Sequence, residues 1–164
     1  MFLLRPAGIP AITTASLATL ATLVCALAAP VRAASCTPLE AIGGGTEVSK
    51  TIQLDGPLVF PFGRTNFNTD FAVTGAYKAY RINFASTSDK PGPYPIQAFL
   101  KFSDGTSLQV VNETLNATPG QTKEFGPFSP PAEKLVTQVN VKVGSGLNAN
   151  ATGFSYTISV KGCS

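Results

Sequence analysis

The amino-acid sequence predicts an all-β protein, a single two-layer antiparallel β-sandwich of jelly-roll or immunoglobulin-like architecture with about eight or nine strands. Two patterns carry that expectation. From residue 48 onward, short β-prone runs are separated by Gly, Pro, Asn and Asp, and no stretch holds a helical period. Several of those runs alternate apolar with polar residues, which places one face of each strand in a core and the other in solvent.

The first segment of the chain is of a different kind. Arg5 stands near the start, an apolar run extends over residues 15–29, and Val31-Arg32-Ala33 puts small residues where a signal peptidase cuts. Residues 1–33 are read as a cleaved secretory signal and residues 34–164 as the single sandwich domain. Thr19, Thr22 and Pro30 interrupt the apolar run, which falls short of the roughly 20 residues of a membrane helix. No integral membrane segment is expected after cleavage. The twelve basic residues of the chain then lose Arg5 and Arg32, leaving ten against nine acidic ones. A nearly neutral chain with no basic stripe is not expected to bind nucleic acid.

Cleavage also removes Cys25, leaving Cys36 and Cys163 close to the two ends. In an oxidising compartment, extracellular or periplasmic, their simplest use is one disulfide joining the terminal strands. The competing expectation is a lipid anchor on Cys36, because Ala34-Ser35-Cys36 is a small-small-Cys run. Ala33 stands where such sites usually carry Leu, and Cys163 would lose its partner.

In chain order, strands are expected at residues 48–54, 57–62, 70–74 and 80–84, then a hairpin over 99–111, then strands at 121–126, 135–143 and 154–161. The runs at 80–84, 135–143 and 154–161 alternate most clearly and supply much of the core. Residues 88–95 and 126–131 are rich in proline, which lacks the N–H a ladder requires, so both are expected at the surface and outside central strands. In the hairpin, Asp104-Gly105 predicts a two-residue type I′ turn with Ser103 opposite Thr106. That register puts Ala98, Leu100 and Phe102 on a face with Val111. Phe99, Leu108 and Val110 fall on the other face, where a covering loop, a register-shifting bulge or a partner surface would account for them.

Reactive chemistry is sparse. With no histidine in the chain, the usual general base, the standard triads and most zinc sites are missing. No nucleophile elbow or phosphate-cradling glycine loop occurs. Two carboxylates would be enough for a glycosidase, but Asp55, Asp89 and Asp104 sit in turn contexts. Asn66, Asn68 and Asp70 alternate like the start of a calcium loop, yet offer one carboxylate and no following glycine. Neither a metal nor a cofactor is expected.

The predicted function is that of a secreted, non-enzymatic binding or adhesion module, taking a glycan or a surface protein. Tyr94 and Phe128, in the proline-rich loops, are the aromatic candidates for stacking on a sugar, with a ring folded back over the sandwich edge as the competing reading. The chain has no tryptophan, the ring best suited to that task. The alternative is a structural subunit of an extracellular assembly that self-associates through the 99–110 face or an open sheet edge. A carboxylate-dependent hydrolase is the third reading. Asn112, Asn116 and Asn150 head Asn-x-Thr triplets, which become glycosylation acceptors in a eukaryotic host; Pro119 follows the second directly.

Overall fold

The computed structural model describes residues 35–52, 67–144 and 151–164. Within them the chain is all-β, nine strands in two antiparallel sheets. In chain order the strands are β1 (Cys36–Pro38), β2 (Glu47–Thr51), β3 (Asn68–Ala72), β4 (Ala79–Ser86), β5 (Gly92–Phe102), β6 (Ser107–Ala117), β7 (Thr122–Phe128), β8 (Val136–Val143) and β9 (Ser155–Cys163). One sheet runs β1-β9-β4-β7 with β2 also paired to β9, and the other runs β3-β8-β5-β6. The expected signal peptide, the expected strand at 57–62, Asn66 and Asn150 lie outside the described residues.

The alternation read from the sequence is what sorts residues between core and surface. In β4, Tyr80, Ile82 and Phe84 are buried; in β9, Tyr156, Ile158 and Val160 are buried; every intervening residue is more open. The facing sheet contributes Phe71, Ile96, Ala98, Leu100, Val139, Val141 and Val143. Phe84, Tyr94, Phe154 and Tyr156 gather into an aromatic cluster between the layers, with Phe84 and Tyr94 edge to face at 4.9 Å. Offset and edge-to-face ring pairs add to the stabilisation that burial alone provides.

Cys36 and Cys163 are joined by a disulfide and stand directly opposite each other in the β1–β9 ladder. Cys36 therefore has no free thiol to accept an acyl chain. The backbone N–H of Ser164 donates to the Ser35 carbonyl at 3.0 Å, extending the pairing past the bridge.

The expectation that the proline-rich segments stay out of central strands fails for Pro93 and Pro95 and holds for residues 126–128. Pro93 and Pro95 lie inside β5, a strand with neighbours on both sides. The strand tolerates them because β8 meets β5 only from Ile96 onward, while β6 covers it from Gly92. Pro95 directs its carbonyl to the Gly144 N–H at 2.7 Å, on the β8 side. Its ring nitrogen faces that side too, where β8 has ended and no donor is required. Gly126, Pro127 and Phe128 likewise belong to a strand, but β7 is the edge of its sheet, and a register shift between Tyr80 and Ile82 sets Gly126 and Pro127 in a bulge.

The hairpin forms, with a different turn. Gly105 has φ of +82° and no residue other than glycine has positive φ among the described residues, so Asp104 is not in the left-handed region that a type I′ turn demands. The Gly105 N–H donates to the Phe102 carbonyl at 3.0 Å and the Phe102 N–H to the Thr106 carbonyl at 2.9 Å. This is a three-residue turn closed by one left-handed glycine. It moves the pairing by one residue near the tip, setting Leu100 against Leu108 and Phe99 against Gln109. A bulge between Ala98 and Phe99 then restores the expected pairing of Ala98 with Val111. Ala98, Leu100, Phe102 and Val111 are buried as expected.

Candidate functional site

The outer face of the four-stranded sheet is assembled by register. Because Phe71, Val139 and Leu100 point inward and are fully buried, their neighbours along each strand point outward. Three rows cross the sheet. The first is Asn68, Lys142, Gln97 and Asn112; the second is Asp70, Asn140, Phe99 and Gln109; the third is Ala72, Gln138, Lys101 and Ser107. Six carboxamides thus surround one half-buried aromatic ring, Phe99, on a sheet whose strands stand about 4.8 Å apart.

Part of the face is pre-ordered. Asp70 Oδ1 accepts from Asn140 Nδ2 at 2.7 Å and from Lys101 Nζ at 3.2 Å. Gln97 Nε2 donates to Asn112 Oδ1 at 3.3 Å across the β5–β6 pair. At the margin, Lys50 Nζ donates to the Asn68 carbonyl at 2.6 Å. Burial lowers the Lys50 pKa from its ordinary value, with the Asp70 charge opposing that shift. Beside the first row, Pro95, Gln97, Asn112, Thr114, Lys142 and Gly144 line a shallow groove of about 440 Å³. Asn140 is buried and bound to Asp70, whereas the other five carboxamides each present a donor and an acceptor at the surface, which suits a ligand rich in hydroxyl groups.

Other concavities occur among the described residues. A cleft of about 340 Å³ at one end of the sandwich is lined by Tyr77, Tyr80, Pro130, Pro131, Leu135 and others; the Tyr77 ring lies against Gly162, where a Cβ would approach it to 2.4 Å. A smaller one, about 260 Å³, is lined by Gly43, Gly44, Lys50, Thr69 and Asp70 among others. Thr69 Oγ1 is buried there without a hydrogen-bond partner among the described residues.

The candidates from sequence scatter. Tyr94 is fully buried, and its hydroxyl lies 2.8 Å from Ser86 Oγ, 3.0 Å from Ser88 Oγ and 3.1 Å from the Ser155 carbonyl. A ring so placed has no face to offer a sugar, and the ligand-binding expectation for Tyr94 is withdrawn. Phe128 is half-buried and packs against the core, paired with Tyr80. Phe99, Leu108 and Val110 are not brought together. Phe99 lies on the outer face, Leu108 shares the side of Leu100 and is 38% exposed, and Val110 sits at the bulge against the core. Asn112 and Asn116 are exposed on β6.

Of the calcium-like triplet, Asn68 and Asp70 lie on β3, with Asp70 engaged by Lys101 and Asn140. No group of three metal-ligating acids or cysteines occurs among the described residues. The carboxylates of Asp70, Asp104, Glu113 and Glu124 are each held by a lysine or arginine. The carboxamide face was missed from sequence because it is written across four strands that are distant in the chain. Its local trace is the spaced polar set Gln97-x-Phe99-x-Lys101 and Gln138-x-Asn140-x-Lys142, which reads as an ordinary solvent side until the strands are aligned.

What these features define is an all-β, two-sheet protein with a carboxamide-rich outer face. No protein-family model matches the chain, and no curated protein sequence matches it. Among solved structures, the chain is similar to the C-terminal family 22 carbohydrate-binding module of Clostridium thermocellum Xyn10B, at 11% identity and a TM-score of 0.39, over 77% of this chain and 84% of that one. At that distance the likeness carries no weight for the ligand or the site.

Proposed function

We propose that the protein is a secreted, non-enzymatic glycan-binding module that holds its ligand on the outer face of the β3-β8-β5-β6 sheet. The observation that supports this most directly is the placement of Phe99 among Asn68, Gln97, Gln109, Asn112, Gln138 and Asn140 on one face. A sugar ring presents an apolar C–H face and a periphery of hydroxyls. Phe99 suits the former and the carboxamides the latter. The Cys36–Cys163 disulfide fits an oxidising compartment.

Affinity electrophoresis against a panel of soluble polysaccharides, followed by calorimetry on any that retard the protein, tests this reading. The protein should come from a host without N-glycosylation, since a glycan on Asn112 would cover the groove. Phe99→Ala and Gln97→Ala are expected to weaken binding by about tenfold each while leaving the circular dichroism spectrum unchanged. Retardation by no polysaccharide, or binding that neither substitution alters, would sink the proposal.

A further inference from the structure

Among the described residues, one long sheet edge has no cover. In the five-stranded sheet, β1 and β2 are short, and β7 carries the Gly126-Pro127 bulge. In the four-stranded sheet, the outer side of β3 is taken by the segment before β2: the Ile42 N–H donates to the Asp70 carbonyl at 2.7 Å and the Ala72 N–H to the Glu40 carbonyl at 2.8 Å. β6, at the opposite edge, runs eleven residues without proline, lysine or arginine. Its one charge, Glu113, is held by Lys123 from the other sheet.

The direction of the free groups follows from the ladder. Pro95 bonds toward β8 through its carbonyl and has no N–H, so the Pro95–Thr114 pair exchanges no hydrogen bonds. Alternation then turns the N–H and C=O of Asn112, Thr114 and Asn116 away from β5, toward solvent. The bulge lies before this stretch and leaves residues 112–117 regular.

We propose that this edge pairs with β6 of a second copy, antiparallel about Thr114, joining two four-stranded sheets into one of eight strands. The occupant follows from the edges themselves, since among the described residues a second copy has no other long edge to offer. The pairing is also self-complementary. Thr114 meets the partner's Thr114, Asn112 meets the partner's Asn116, and Glu113 meets the partner's Leu115, so no like charges stand opposite. A two-fold interface of this kind closes after two copies and forms no fibre. One five-residue ladder is small for a specific interface, which sets the dissociation constant at about the micromolar level or weaker. If the glycan reading holds, the dimer places two Phe99-centred faces on one continuous surface, and a long polysaccharide engages both.

Sedimentation equilibrium of the unglycosylated protein into the high-micromolar range, with amide hydrogen exchange at low and high concentration, tests the pairing without any glycan. The expected result is a reversible monomer–dimer equilibrium in which the amides of Asn112, Thr114 and Asn116 gain protection with concentration, while those of Glu113 and Leu115 are protected throughout. Thr114→Pro removes only an outward N–H and is expected to weaken dimerisation at least about tenfold at unchanged melting temperature. Should that variant fail to fold, Thr114→Lys puts two cations across the axis and decides the matter. A protein that stays monomeric over the whole range overturns the proposal, as does a dimer that the folded Thr114 variants leave intact. Glycan affinity measured on the monomer is a separate result and stands or falls alone.

Discussion

Tyr94 ties the two sheets together: its ring is packed among Phe84, Phe154 and Tyr156 while its hydroxyl reaches Ser86 on β4 and the backbone of Ser155 on β9. Tyr94→Phe keeps the ring and strands the buried Ser86 hydroxyl. The expected cost is about 1–3 kcal/mol of unfolding free energy, read by denaturant titration; a neutral outcome would show that the hydroxyl network contributes nothing. Tyr80 and Tyr156 act through burial. Desolvation pushes both phenols above their ordinary pKa of 10.0, and at Tyr80 the neighbouring Tyr77 adds to the effect. In the unfolded chain both ionise near pH 10, whereas in the fold each holds its proton to higher pH. Stability from these groups is therefore fully present below pH 10 and falls as pH rises beyond it. In spectrophotometric titration, Tyr80→Phe and Tyr156→Phe are each expected to remove phenolate absorbance that the parent develops only above the ordinary phenol range. Loss of absorbance that the parent already shows at pH 10 would contradict this.

At the scale of the element, the β5–β6 hairpin shows how a turn governs a face. Gly105 has open space around its Cα, with φ of +82°, so Gly105→Ala meets no clash and tests backbone conformation alone. The left-handed region costs a non-glycine residue about 1–2 kcal/mol, and that loss is expected in thermal unfolding; a negligible change would mean that the turn is held by its side chains. Asp104 is one such support: its hydrogen bond from Lys134, and then those from Thr106, hold its carboxyl well below the usual carboxylate range. The contribution of that carboxylate is present above the ordinary value of 3.8 and is lost only in strong acid. The hairpin itself was legible from Asp104-Gly105 and the apolar alternation. The turn type was not, because Asp-Gly suits more than one turn and the choice depended on the bulge at Phe99 that reconciles the tip with the buried row of Ala98, Leu100 and Val111.

For the whole molecule, the disulfide spans 127 residues of sequence. Closing so long a loop restricts the unfolded chain, an effect worth about 4–5 kcal/mol in the entropic model and more often about 2–4 kcal/mol when measured. The double variant Cys36→Ser, Cys163→Ser is expected to lose stability on that scale, and reductant should then have no further effect on it. A variant as stable as the parent would show that the β1–β9 ladder holds the termini unaided.

Taken alone, the sequence determined the all-β class, the strands at β4, β8 and β9, the pairing of Cys36 with Cys163 and the absence of histidine chemistry. Each of these is local or compositional: alternation along one strand reports its buried face, and the expected removal of residues 1–33 with Cys25 leaves Cys36 and Cys163 one partner each. Tertiary structure alone decided the fate of the aromatic rings and the make-up of the outer face. Tyr94 sits between Pro93 and Pro95, a setting that reads as a loop, yet β8 ends where those prolines begin and the ring turns into the core. Phe99 gains its carboxamide neighbours only when β3, β8, β5 and β6 come into register. The reason is physical: an alternating strand specifies which side a residue faces, whereas its neighbours on that side are set by long-range pairing between strands whose order the chain does not spell out.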